Sequence, residues 1–197
     1  MDYVAVNSTL GLIQRNVNIR NSQVKQRAYT SLVRPILEYS STVWDPYTST
    51  AINKIEAVQR RAARVITSQY QRTASATAML AELNLQTLAE RRRIARLTMF
   101  HKIHYRLVAV DMPLQSKQYT SPTRTENALA YPLPTSACEY HLFSFFPKTG
   151  RDWNSLPQEV VQLNTPGAFR SACPSTYLTV TTPVQPSARV FNTEVGT

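Results

Sequence analysis

Between Thr50 and Ser68 the apolar residues Ile52, Ile55, Val58, Ala62, Val65 and Ile66 recur at helical spacing. At about 100° per residue they share a little under half of the helix circumference. Lys54, Arg60, Arg61 and Arg64 fall on the opposite side. A segment so divided must dock one face against other elements and leave a cationic ridge outside, so it commits the chain to a helical, layered core.

The rest of the first half supports that architecture. Residues 7–20 read as the end of a helix running into a turn, with Asn7 or Ser8 as its cap. Asn21 and Ser22 offer the next cap, for a helix from Ser22 to about Trp44. Pro35 lies inside it, removing a backbone donor and crowding the preceding turn, so a kink near Ser31–Arg34 or a split into two helices is expected. Asp45-Pro46 ends the segment, and Glu38 is placed to pair with Arg34 one turn back. A short helix is expected within Thr73–Leu83, with Met79, Leu80 and Leu83 inward. Thr87 and Glu90 form a capping-box pattern ahead of a long helix, Leu88 to about Val110. Its inward face is Ile94, Leu97, Phe100, His104, Leu107 and Val108. Arg91, Arg92, Lys102 and Arg106 lie opposite, and Arg93 and Arg96 sit nearer the apolar flank, where long side chains snorkel.

Charge divides the chain at the same place. Residues 1–110 hold 16 Lys and Arg against 6 Asp and Glu, whereas residues 111–197 hold 6 of each, so the whole net charge of +10 belongs to the helical part. Such a surface attracts polyanions, nucleic acid first. Most of the 12 prolines follow residue 110, which favours loop there. The reading is a mainly α protein: residues 1–110 a basic helical region, 111–139 an extended linker, 140–173 an aromatic block, 174–197 a disordered tail. In the aromatic block Phe143, Phe145, Phe146, Trp153 and Leu156 are expected to pack on the helices, with short helices after Pro157 and Pro166.

Catalytic and metal motifs are scarce. No Walker A, G-x-G-x-x-G or G-x-S-x-G pattern occurs. Glu38, Asp45 and Glu56 are not spaced as a metal cluster. Cys138 and His141 form a lone C-x2-H, and His101 with His104 an i, i+3 pair. With Cys173 they fit no common zinc pattern, so no metal or cofactor is expected. Two cysteines make no disulfide framework, no leader opens the chain and no long apolar run spans a membrane, so an intracellular protein is expected. Tyr39, Trp44 and Tyr47 could stack on bases, though Tyr39 and Trp44 are better read as core.

Several blocks in order resemble one family. They are NSTLGLIQRN, LVRPILEYSSTVWDP, VQRRAARVI, MLAELNLQTLAERRRIARLTMFHKI and FFPKTGRDWNSLPQEVV, followed by Phe169-Arg170-Ser171. Together, across Asn7 to Ala172, they resemble the region beyond the catalytic palm of non-LTR (LINE-type) retrotransposon reverse transcriptases. The resemblance implies a thumb-like helical bundle that grips a template–primer duplex by its backbone. It implies phosphate contacts for Arg60, Arg61 and Arg64, and for a second group of Arg91, Arg92 and Arg96. Lys54, Lys102 and Arg106 complete the candidate cations. It implies RNA, DNA or an RNA–DNA hybrid as partner, nuclear residence, and a partial reading frame. The Tyr-x-Asp-Asp polymerase motif is absent from these residues, so a non-catalytic fragment is expected. The alternatives are that surface once covered by palm and fingers drives self-association or binding of another protein, or that the chain is a functionless transposon relic. Gly150, Asn84 and Leu85-Gln86 depart from the family's usual residues, which are apolar, Gly and Trp-Pro respectively.

Overall fold

The computed structural model describes residues 3–16, 21–114, 127–135 and 138–173, and these form a mainly α protein without strands among the described residues. In chain order the elements are α1 (Tyr3–Asn16), α2 (Ser22–Ala28), a π-turn (Tyr29–Val33), α3 (Arg34–Glu38), α4 (Ser41–Trp44), α5 (Ser49–Thr67), α6 (Ala76–Glu82) and α7 (Leu88–His104). After the loop come α8 (Glu139–Leu142), α9 (Phe145–Asn154), α10 (Gln158–Val161) and α11 (Pro166–Ala172). The tail expected at 174–197 lies outside the described residues.

Local chemistry explains most boundaries. Asn21 caps α2, its side chain accepting from Gln23 N at 2.9 Å. The kink expected from Pro35 is a π-turn: Arg34 N–H reaches back to Tyr29 O, one residue beyond the α-helical partner. Pro46 holds the preceding residue out of the helical region, so α4 stops at Trp44 and Asp45 turns away with ψ 111°. Thr87 caps α7, accepting from Glu90 N at 3.2 Å, while Glu90 Oε1 is buried without a partner, so the reciprocal half of the capping box is not made.

Three expectations need correction. Asn7 and Ser8 do not start a helix, because α1 already runs from Tyr3. α7 ends at His104 and not near Val110, because Arg106 takes a left-handed φ of 55°. Leu107 N then bonds Lys102 O at 2.8 Å and Arg106 N bonds Ile103 O at 3.0 Å, the crossed pair of a Schellman stop. Leu107, expected inward, is therefore exposed. Asn84 closes α6 the same way with φ 50°, a position where glycine is favoured and asparagine tolerated. Finally, α9 occupies a stretch where no helix was expected, because Pro147 and Gly150 mask its pattern; Pro147 is harmless in the first turn.

Two apolar cores result. The first joins α1, α2, the π-turn, α3 and α5 around Leu10, Ile13, Tyr29, Val33, Leu37, Val58 and Ala62. The second surrounds Trp153, which is wholly buried among Leu97, Phe100, Tyr131, Val161 and Phe169. Helix α7 serves both, giving Leu88 to the first and Ile94, Leu97 and Phe100 to the second. Residues 127–135, inside the expected linker, are part of this second core. Asn127 Nδ2 donates to Trp153 O at 2.8 Å, and Trp153 Nε1 donates to Leu129 O at 3.0 Å. Asn154 grips the backbone of Tyr131 in both directions, at 2.9 and 2.8 Å. Gly150 is buried where an added Cβ would stand 3.0 Å from Leu133 Cδ2 and 3.4 Å from Leu114 Cδ1, so a larger residue there would need these leucine side chains to give by a few tenths of an ångström.

The second core also holds two histidines. His101 is fully buried, its Nε2 donating to Leu163 O at 2.5 Å, with Nδ1 left unpartnered against Phe169 and Tyr105. His104 Nδ1 accepts from the Tyr131 hydroxyl at 2.5 Å. Burial lowers the pKa of both rings. Both are therefore neutral in the fold while the unfolded chain binds their protons more readily. Their stabilising contribution is complete above the ordinary histidine pKa and is lost as pH falls below it toward the depressed folded values. Urea titrations are expected to show stability falling between pH 7.5 and 5 by up to about 1.4 kcal/mol per pH unit for each histidine; His101→Phe should flatten that slope. Replacing Arg106 by Gly should stabilise α7's stop by about 1 kcal/mol in the same titrations.

Candidate nucleic-acid interface

The basic residues singled out by sequence separate into two sets. On α5 the apolar face is docked as expected, with Ile55, Val58, Ala62, Val65 and Ile66 buried. Lys54 and Arg61 are exposed, and Arg60 and Arg64 half-buried. Their polar contacts are neutral: Arg61 Nη1 donates to Asn7 Oδ1 at 2.7 Å and Arg60 Nη2 to Asn53 O at 3.3 Å. None of the four pairs with a carboxylate among the described residues. A groove of about 390 Å³ between α1 and α5 is lined by Asn7, Lys54, Ala57, Val58 and Arg61. At the other end of α5, Lys25 Nζ donates to Ser68 Oγ at 2.9 Å. Lys25 carries no signal in the sequence, since its neighbour is 43 residues away and no local pattern marks the contact.

The second expected group of phosphate ligands is corrected by its surroundings. Arg91 is held by Glu38 through both Nε and Nη2, the latter at 2.9 Å from Oε2. Glu38 also meets Arg34 at 3.8 Å, as its spacing suggested. Arg92 and Arg96 are buried. Arg92 Nε donates to Asp45 Oδ1 at 2.8 Å, and Arg96 Nε lies 2.8 Å from Asp45 Oδ2. Lys148 Nζ reaches the same Oδ2 at 2.6 Å and Pro46 O at 3.3 Å. Arg96 extends further to Asp152 at 3.0 Å and Thr149 Oγ1 at 3.1 Å, and Arg93 lies 3.5 Å from Asp152. These arginines face carboxylates, which neither the resemblance nor the helical phase signalled. Their amphipathic position hid the one fact that decides it, which carboxylate the fold brings opposite.

The remaining candidates stand apart from α5's ridge in the chain. Lys102 is half-buried near the end of α7 and Arg106 is exposed just beyond it. Tyr39, expected in the core, is 79% exposed, whereas Trp44 is half-buried against the first core and donates Nε1–H to Tyr39 O at 2.6 Å. Tyr47 stacks on Phe143 with ring centroids 4.6 Å apart and planes 6° from parallel, so this face already has an aromatic partner.

Metal chemistry finds no cluster among the described residues: no three His, Cys, Asp or Glu side chains come together. Cys138 is exposed, while Cys173 is packed in the second core, where burial pushes its thiol up to about 11. No helix of the described residues is long and apolar enough to cross a membrane. No family model, no curated protein and no solved structure matches this chain.

The Asp45 cluster sets four cations, Arg92, Arg93, Arg96 and Lys148, around two carboxylates. Burial lowers the pKa of Lys148, against the opposing pull of its bond to Asp45. Arg92 Nη1 and Nη2 are buried without acceptors, the guanidinium lying 6.0 Å from the Trp44 ring centroid. Removing Asp45 would leave Lys148 and the buried Arg92 without a carboxylate and Arg96 with Asp152 alone. Asp45→Ala is therefore expected to destabilise the protein by about 3–5 kcal/mol, whereas Glu38→Ala, at a partly exposed pair, should cost about 1 kcal/mol or less. Equal losses in urea titrations of the two variants would contradict this ranking.

Proposed function

We propose that this chain is a non-catalytic part of a LINE-type reverse transcriptase that binds nucleic acid without sequence preference through the exposed face of α5. The observation that carries the reading is the contrast between the two basic helices. The arginines at the start of α7 are matched to carboxylates, and those of α5 are not. Lys54, Arg60, Arg61 and Arg64 thus form a ridge of cations without carboxylate partners among the described residues, available to neutralise phosphates. Lys25 adds a charge at the end of the same helix, and Lys102 and Arg106 form a secondary contribution.

The ordered blocks described above support the family assignment, and the absence of the polymerase carboxylates supports a binding role and not a catalytic one. Affinity from such a surface comes largely from counterion release, with a salt slope of about 0.9 per phosphate neutralised on duplex DNA. Binding to labelled RNA, duplex DNA and an RNA–DNA hybrid, followed by fluorescence anisotropy at several salt concentrations, is expected to weaken steeply with salt. Replacing Arg60, Arg61 and Arg64 together by Ala should reduce affinity for all three and flatten the slope by up to about 3. The folded wild-type chain failing to bind any of them would overturn the reading; unchanged binding by the triple variant would overturn the assignment of those residues.

A further inference from the structure

Helix α5 is flanked by two grooves of opposite character. On the side of α6 and α7, a groove of about 460 Å³ is lined by Arg60 together with Glu56 and Glu90. On the side of α1, the groove of about 390 Å³ holds Asn7, Lys54, Ala57, Val58 and Arg61, and no carboxylate lines it. A further cation stands on the α1 wall. Asn7, Gly11 and Arg15 share one row of α1 at four-residue spacing. The exposed Arg15 folds back along that row, so that a Cβ at Gly11 would stand 3.4 Å from its Nη1. Its charge therefore lies roughly one turn of α1, about 6 Å, from Asn7, whose Oδ1 accepts from Arg61 at 2.7 Å. Like Lys54 and Arg61, Arg15 meets no carboxylate among the described residues.

Charge and shape together select the ligand. Lys54, Arg61 and Ser68 recur at heptad spacing and mark one line of about 21 Å along α5. Lys25 Nζ sits at its far end, 2.9 Å from Ser68 Oγ. A cationic line longer than the groove suits a polyanion and not a lone phosphate. The groove itself is near the lower limit of sites that hold a small molecule, with room for about one nucleotide. An unpaired strand can lower its backbone between the cations of both walls. A duplex is too wide to enter and meets only the cations of the rim. None of the residues lining the groove is aromatic, so no base is stacked and the strand is held by its phosphates without sequence preference. We propose that the α1–α5 groove is a subsite for an unpaired nucleic-acid strand, its phosphates met by Arg15 from one wall and by Lys54 and Arg61 from the other. This rests on the nucleic-acid reading above and adds to it the α1 wall and the state of the strand.

Fluorescence anisotropy of the full chain with labelled oligothymidine, and with a duplex of equal length, tests the subsite. Ala57→Leu, at an exposed position in the groove, keeps every charge and fills the space. It should weaken oligothymidine binding at least threefold and leave duplex affinity within twofold. Arg15→Ala should weaken oligothymidine binding several-fold and flatten its salt slope by about 0.7, the value of one phosphate contact on a single strand. Arg60→Ala, on the groove with the two glutamates, should change it less than twofold. Unaltered helical circular dichroism shows that each variant folds; if Ala57→Leu disturbs α5, Arg15→Ala decides alone. A wild-type chain that binds oligothymidine, with Ala57→Leu or Arg15→Ala binding it equally well, overturns the subsite and leaves the ridge of α5 standing. So does Ala57→Leu weakening both ligands alike, or wild type binding the duplex alone. Wild type binding neither ligand removes the nucleic-acid reading itself, and the subsite with it.

Discussion

A single carboxylate joins the two cores. Asp45 ends α4, receives Arg92 and Arg96 from the middle of α7, and receives Lys148 from α9. Pro46 makes this possible by stopping the helix one residue earlier and turning the carboxylate aside. Without Asp45, α7 would pass between two apolar cores with the buried Arg92 guanidinium lacking any counter-charge and Arg96 held by Asp152 alone, an arrangement far more costly than leaving Arg92 in water. The stability of the joint depends on completeness: one partner missing is worse than all partners missing.

The same joint determines which basic residues remain available. Much of the chain's excess charge lies on α5 and α7, yet the start of α7 directs its arginines inward to Glu38, Asp45 and Asp152. The block Arg151-Asp152-Trp153-Asn154 is structural throughout. Arg151 donates to Leu142 O at 2.5 Å, Asp152 holds Arg96, Trp153 fills the second core and Asn154 clamps Tyr131. The ridge of α5 is left without carboxylate partners among the described residues, and its Arg60 and Arg61 donate to neutral oxygens. Fold and surface are thus complementary uses of one pool of arginines.

The sequence was most readable where a local rule acts. The faces of α5, the caps at Asn21 and Thr87, and the break before Pro35 all depend on residues within a turn or two of one another. It was least readable where distant residues decide. Arg92 has the helical phase of the polar side and Arg96 that of a flank residue, and only the arrival of Asp45, some 47 residues before Arg92, shows that they are buried. The end of α7 at Arg106 was missed because a left-handed arginine carries no glycine signal. Helix α9 was hidden by a proline and a glycine that tertiary packing tolerates. The buried loop at 127–135 has no periodicity because its hydrogen bonds go to side chains, chiefly Asn127, Asn154 and Gln158, and not to a ladder.

The claim that Asp45 fuses two cores into one cooperative unit is tested most directly by native-state hydrogen exchange along the whole chain. The slowest amides of α5, in the first core, and of α9, in the second, should exchange through the same global opening, with equal free energies and equal dependence on denaturant. If α9 and α11 instead open together at a distinctly lower free energy while α5 stays protected, the cores are separable and the Asp45 joint does not couple them.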